Sequence, residues 1–290
     1  VRRASLGRPT LSLLALASCG EARTFKVLPT GSLQTHYLID YQHTSDSATL
    51  FSTMGHLVVF NPGAADARLE VTAFYENREP DRFNLVARAG SSTESSSDHW
   101  PIHGGGRFAL EVTSDRPVIC QATIGWTNTG SRYGWGAETR SPKGPREAAK
   151  SYGSITSLAR SWYYADGLVL QDGVSHALGR DGDKPHSLWI RESESAIMLN
   201  PSDQPAEATL TLHYGQEAQV HVVVIPPRRL KSVSMDAIAR PNRGYGVTVT
   251  SDREIAVQWL RQVNWHDSEE TMAFWSVPAV PLETGAPAPR

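Results

Sequence analysis

The chain has 290 residues, 20% of them charged, and a formal net charge of -2. That length favours two domains over one, since single cores stop growing at about 250 to 300 residues. The near-neutral balance offers no broad basic surface for a nucleic-acid backbone. Cys19 and Cys120 stand outside any Cys/His cluster, which argues against a structural zinc or a disulfide-stapled scaffold.

Residues 1–23 read as a leader. Arg2, Arg3 and Arg8 form a positive region, Leu11 to Ala17 a short apolar one, and Leu16-Ala17-Ser18-Cys19-Gly20 is laid out like a bacterial lipobox with Cys19 as the lipidation candidate. The apolar run is too short to span a bilayer. The expectation is export to the cell envelope with membrane attachment only through an acyl chain on Cys19; the alternative is an unprocessed leader on a cytoplasmic protein.

From Thr24 onward, apolar runs of four to eight residues are bounded by Gly, Pro, Asn, Asp and Ser, with no sustained helical period. An all-β fold is predicted. A first module spans 24–138. It starts near Thr35 to Tyr41, runs through a strand from His56 to Phe60 and turns at Asn61-Pro62-Gly63. Leu69, Val71, Ala73 and Tyr75 then alternate with Glu70 and Thr72, the pattern of a strand with one wet face. Gly90 to Asp98 reads as a polar segment, and Thr113 to Pro117 as a hairpin turn into Val118 to Trp126, where Cys120 reads as a buried small hydrophobe.

Residues 139–154 carry Ser-Pro, Gly-Pro and two lysines and read as a linker. A second module spans 155–282, and 283–290 read as a Pro- and Ala-rich tail. The second module repeats the first. It opens at Trp162 to Gly167, carries an insertion between Gly179 and Arg191, and then keeps step: Asn61/Asn200, Tyr75/Tyr214, Asp115/Asp252 and Gln121/Gln258 hold an offset of roughly 138 positions. Two antiparallel β-sandwiches in tandem are the predicted architecture.

No G-x-S-x-G elbow, Walker loop or H-E-x-x-H is present, so catalysis has no motif to start from and no cofactor is implied. Pro101 separates His99 from His103 and denies them a shared helical face. Asp181-Gly182-Asp183 lacks the remaining ligands of a calcium loop. Arg228 and Arg229 follow Pro226-Pro227, and Arg261 lies two residues past Trp259, on the same face of a predicted strand. Guanidinium forks suit carboxylates, phosphates and paired hydroxyls. Trp259, Trp265 and Trp275 are equally suited to stacking a sugar ring and to filling a sandwich core.

The second module resembles the sensory rhodopsin transducer family. The residues that carry the resemblance are Trp162 to Gly167, Leu199-Asn200-Pro201, the strand Ala208 to Tyr214, Val224 to Arg229, and Ile255 to Arg261. Gln262 stands where the family has an aspartate. In the first module Ala89 to Ser92 replaces the Pro-x-Arg-Arg segment, and Ile124 stands at the position of Arg261. The resemblance implies a non-catalytic sandwich that oligomerises and binds a small polar molecule such as a sugar; it implies no rhodopsin partner here. The expected ligand-binding residues are Asp166, Arg228, Arg229, Gln258, Trp259 and Arg261. The alternative is an adaptor that binds another protein through a sandwich face or a sheet edge.

Overall fold

The computed structural model describes residues 34–43, 51–102, 106–128, 146–169, 174–181, 184–265 and 271–281. The first module contributes β1 (Gln34–His43), β2 (Phe51–Asn61), β3 (Ala67–Tyr75), β4 (Asp81–Ala87), β5 (Ser91–Ser96), β6 (Gly106–Ser114), β7 (Ile119–Asn128) and β8 (Arg146–Gly153). The second contributes β9 (Ala159–Leu168), β10 (Val174–Asp181), β11 (Lys184–Asn200), β12 (Ala206–Tyr214), β13 (Glu217–Ile225), β14 (Arg229–Ser234), β15 (Gly244–Trp265), β16 (Thr271–Pro278) and β17 (Val280–Pro281).

In the first module, sheet I has the order β5-β2-β7-β8 and sheet II the order β1-β6-β3-β4. In the second, nine strands are joined because β15 runs through both layers. Its second half pairs with β11 and β16, which with β10 and β14 make sheet III. Its first half pairs with β12 and β9, which with β13 and β17 make sheet IV. Strand for strand, β14-β11-β15-β16 repeats β5-β2-β7-β8, and β9-β15-β12-β13 repeats β1-β6-β3-β4. The all-β prediction and the duplication are both present in the pairing itself.

The residues shared between the copies hold the turns. Asn61 donates through Nδ2 to the carbonyls of Ala65 and Ala87 and accepts from the Gly63 N–H. Asn200 donates to those of Gln204 and Ile225 and accepts from the Ser202 N–H. Asp115 Oδ1 accepts the Arg68 N–H at 2.8 Å, and Asp252 Oδ1 accepts that of Glu207 at 2.8 Å. Each of these side chains satisfies backbone groups that the bending chain would otherwise leave open.

Three local expectations differ from the structure. The segment Thr113 to Pro117 is not a hairpin: β6 belongs to sheet II and β7 to sheet I, so the turn carries the chain from one layer to the other. Pro117 lacks an N–H and interrupts the strand there, whereas Glu254 keeps β15 continuous in the second copy. Residues 146–153, within the segment read as a linker, form β8 and pair with β7 along its length. The polar segment after Gly90 forms β5, an edge strand whose pairing with β2 is made by backbone groups and asks for no apolar side chain.

The fourth difference defines the architecture. Alternation along β3 stops at Thr72, because Thr72 and Phe74, on the face expected to be wet, are buried as well. That face of sheet II lies against the outer face of sheet III: Tyr37, Ile39, Phe74 and Ala109 share one apolar cluster with Ile197, Leu199, Leu230 and Leu260. At about 1.5 to 3 kcal/mol per fully buried large aliphatic or aromatic side chain, this contact stabilises the pairing of the modules substantially. Lys231 Nζ to Glu76 Oε1 at 2.7 Å, and the Arg107 guanidinium donating to Ser232 Oγ at 2.9 Å, add polar contacts between them. The layers therefore stack in the order I, II, III, IV.

Candidate functional site

Inside a sandwich core the cheapest side chains are apolar, so buried charge marks a position under another constraint. In the second sandwich that position is Glu194, on the inward face of β11 and fully buried. The Tyr245 hydroxyl donates to its Oε2 at 2.6 Å, and the Leu168 N–H reaches both carboxylate oxygens at 3.2 Å. Arg261, its cross-strand partner on β15, brings Nε to 3.6 Å from Oε1. The same guanidinium extends outward to Asp166 Oδ2 at 4.0 Å; the Arg261 side chain is 19% exposed and that of Asp166 89%. A charged chain thus runs from the interior to solvent. Burial pushes the Glu194 carboxyl up to about 7, against the opposing pull of Tyr245, Leu168 and Arg261.

Next to this chain, the Trp259 and Tyr164 rings stack at 4.4 Å with an interplanar angle of 15°. Trp162 Nε1 donates to the Ala159 and Ile255 carbonyls, whereas Trp259 Nε1 is buried and has no acceptor among the described residues. Gly167 is required where it stands. A Cβ there would meet the Tyr245 ring at 2.3 Å, so only glycine lets the ring lie flat against β9 with its hydroxyl on Glu194.

Strand register aligns this region with the first copy. The pair Glu194/Arg261 occupies the place of Gly55/Ile124, and Ala196/Trp259 that of Leu57/Ala122. Tyr164 takes the place of Leu38, and Tyr245 that of Phe108. The aromatic contact itself is retained, since Tyr75 to Phe108 and Tyr214 to Tyr245 both have centroids 5.7 Å apart. Five inward positions that are glycine or apolar in one copy carry carboxylate, guanidinium, phenol and indole in the other.

Of the six expected ligand-binding residues, the structure brings together Asp166, Trp259 and Arg261. It places the other three elsewhere. Gln258 is buried on the outer face of sheet III, against the first module. Arg229 pairs with Glu79 of the first module. Arg228 lies 3.5 Å from Asp203 and 5.6 Å from the Phe74 ring centroid. It also adopts φ 52, the left-handed conformation that Gly90 supplies at the same turn of the first copy. Since β14 meets β11 at Asn200, six residues from Glu194, these arginines lie about 20 Å along the strand from the charged chain.

Sequence reasoning missed Glu194 and Tyr245. A signal for Glu194 exists: it falls in phase with Ala196, Met198 and Asn200, all inward and buried. His99 is exposed, and Trp100 beside it is core, stacked on Phe83 at 5.3 Å. Cys120 is buried, and burial pushes its thiol up to about 12, which leaves it inert. Cys19, His103 and Gly182-Asp183 lie outside the described residues, and the side chains of Asp181, Gln262, Trp265 and Trp275 are likewise not described.

Residues 160–278 match the family model described as the Anabaena sensory rhodopsin transducer. The match covers the second module and gives the resemblance of that module to the family. Among solved structures, the chain is similar to the crystal structure of Thermotoga maritima 1070, at 18% identity and TM-score 0.34, over 43% of this chain and 97% of that one. It is also similar to the Anabaena sensory rhodopsin transducer itself, at 19% identity and TM-score 0.26, over 35% of this chain and 93% of that one. No curated protein matches the chain significantly.

Proposed function

We propose that the second sandwich is a non-catalytic binding module for a small polar ligand of the sugar class, held at the Asp166–Arg261 end. The observation that carries this reading is the replacement of five neutral inward positions by Glu194, Arg261, Tyr245, Tyr164 and Trp259 within an otherwise repeated fold. A core gains no stability from such an exchange, because buried charge costs more to desolvate than apolar side chains do. At the rim, a carboxylate acceptor and a guanidinium donor stand side by side, which suits a pair of neighbouring hydroxyls. Buried Glu194 positions Arg261 from behind. The first sandwich, with Gly55 and Ile124 at these positions, serves as scaffold.

Titration calorimetry against a panel of monosaccharides and hydroxy acids tests this. Arg261→Ala is expected to weaken binding by about 10- to 100-fold, the loss of a charge-assisted hydrogen bond. Binding by no member of the panel, or equal binding by wild type and variant, would sink the reading.

Location at the cell envelope is part of the same proposal and rests on the leader of residues 1–23, with Cys19 as its lipidation candidate. Among the described residues no helix is long and apolar enough to cross a membrane. When the chain is expressed in a bacterium, wild type is expected in the membrane fraction and Cys19→Ser outside it; identical partitioning of the two would remove the lipid anchor. A second reading, an adaptor that binds another protein, draws on the exposed valines of β13.

A further inference from the structure

The charged chain of the second sandwich has two carboxylates and one guanidinium. Arg261 lies 3.6 Å from Glu194 and 4.0 Å from Asp166, and no other basic side chain among the described residues approaches either acid. The titratable groups that face Glu194 are Tyr164 and Asp166 from β9, Tyr245 and Arg261 from β15, and, behind Tyr245, Asp236 from the short 3-10 turn Met235–Ala237. With both acids ionised, Asp166, Glu194 and Arg261 together carry one uncompensated negative charge. Burial keeps Glu194 protonated up to about 7, which removes that excess at the expense of the inner ion pair.

Beside the outer carboxylate stands an aromatic ring. Tyr164 precedes Asp166 by two positions on β9, so both leave the strand on the same side. The ring is half-buried and stacks on Trp259. Burial pushes its hydroxyl up to about 12, with Glu194 and Asp166 acting in the same direction and Arg261 opposing them. The ring therefore lies in the field of both carboxylates.

At two other places the chain fills this combination of tyrosine and carboxylate with cations of its own. Arg78 lies 3.3 Å from the Tyr75 ring centroid and 3.0 Å from Asp81. Tyr214, the counterpart of Tyr75 in the second copy, has Arg240 and Arg243 at 5.2 and 5.1 Å from its centroid, and both pair with Glu217. The negative ring face and the carboxylate attract the cation together. Tyr164 and Asp166 are the same two groups, but no cation among the described residues lies over the Tyr164 ring.

We propose that the ligand of this site carries a protonated amine, seated beside the Tyr164 ring and paired with Asp166, and that its arrival leaves Arg261 to Glu194 and expels the proton from that buried carboxyl to solvent. The proposal rests on the reading of the second sandwich as a binding module of the sugar class and narrows the ligand to an amino sugar. Each carboxylate then has one cation: Asp166 the ammonium at the rim, Glu194 the guanidinium behind it. A carboxylate or phosphate at the same place would add to the negative excess. Because the amine binds the ionised form of Glu194, affinity rises as pH passes through about 7, by about 10-fold from pH 6 to pH 8, and levels off above.

Calorimetric titration of the full chain with three sugars that differ only at C6 tests the proposal: 6-amino-6-deoxyglucose, glucose and glucuronate. The amine is expected to bind about 10- to 100-fold tighter than glucose, the worth of a charge-assisted hydrogen bond, and glucuronate weakest. Titrations at pH 7 in phosphate and in Tris, whose ionisation heats differ, are expected to show release of about half a proton per amine bound. Asp166→Asn, at an exposed position that leaves the fold intact, is expected to bring the amine to within about 2-fold of glucose. Glu194→Gln is expected to abolish the proton release and the pH dependence; should that variant not fold, the wild-type pH series and Asp166→Asn still decide. Glucose binding as tightly as the amine, or glucuronate binding tighter, overturns the proposal and leaves the sugar-binding reading in place. An amine affinity that is flat from pH 6 to pH 8 with no proton released overturns it as well. Binding of none of the three sinks both readings together.

Discussion

Gly167→Ala is expected to destabilise the protein by about 2 to 3 kcal/mol, near the upper range for overpacking a well-filled core. The added methyl would stand 2.3 and 2.6 Å from Tyr245 ring atoms, inside any van der Waals separation. The ring has little room to yield. It is buried, leans on Tyr214 at a 5.7 Å centroid distance and is tied through its hydroxyl to Glu194. Either the β9–β15 pairing opens or Tyr245 withdraws, and withdrawal removes the shortest hydrogen bond to a buried carboxylate. Urea titration with an intrinsic fluorescence readout measures the loss. Gly153→Ala is the control, since a Cβ there meets nothing within 4 Å and the change should fall within about 0.5 kcal/mol of zero. Similar losses at both positions would show that the cost comes from removing glycine from a strand and not from the Tyr245 ring.

The parts of the fold that could be read in advance are those in which a residue acts on its own neighbourhood. Asn61 and Asn200 close the turns that follow them, and Asp115 and Asp252 catch the start of the neighbouring strand, so the same residues recur wherever the same bend recurs. Alternation along β3 gave the inward face correctly for the same reason. It failed at Thr72 and Phe74, because a second module covers the other face and nothing within β3 encodes the neighbour. Arg228 and Arg229 illustrate that failure in another form. Being absent from the first copy marked them as special, but what sets them apart is the contact between modules, with Glu79 and Phe74 of the first module as partners.

The charged chain was half legible. Arg261 and Asp166 belong to segments that carry the family resemblance, whereas Glu194 lies in the polar run Arg191 to Ser195, which looks like a solvated strand end. It stands one residue beyond the segment that pairs with β14, and its burial depends on β11 staying paired with β15 there and on Tyr245 arriving from the other sheet with a hydroxyl where the first copy has Phe108. Phase along β11 shows which side Glu194 faces. Only the register between β11 and β15 shows that Arg261 is its partner and that Gly55 and Ile124 are the corresponding pair in the first copy.

That buried carboxylate should impose a pH dependence on stability of its own. Its ordinary value is 4.5, and burial raises it to about 7 in the folded protein. Between those values the folded chain holds a proton that the unfolded chain releases, so stability is fully present below about 4.5 and falls as pH rises through 7. A shift of this size corresponds to about 3 kcal/mol across the window. Glu194→Gln keeps an oxygen to accept from Tyr245 and Leu168 but cannot ionise. The stability of the variant relative to wild type is therefore expected to increase from pH 4.5 to 7 and then level off. Urea titrations of both proteins at several pH values give that difference directly, and contributions from other carboxylates and histidines largely cancel in it. A difference that stays constant with pH would mean that Arg261 and the two hydrogen bonds keep Glu194 ionised throughout. The charged chain would then be a permanent ion pair with no proton to exchange when a ligand arrives.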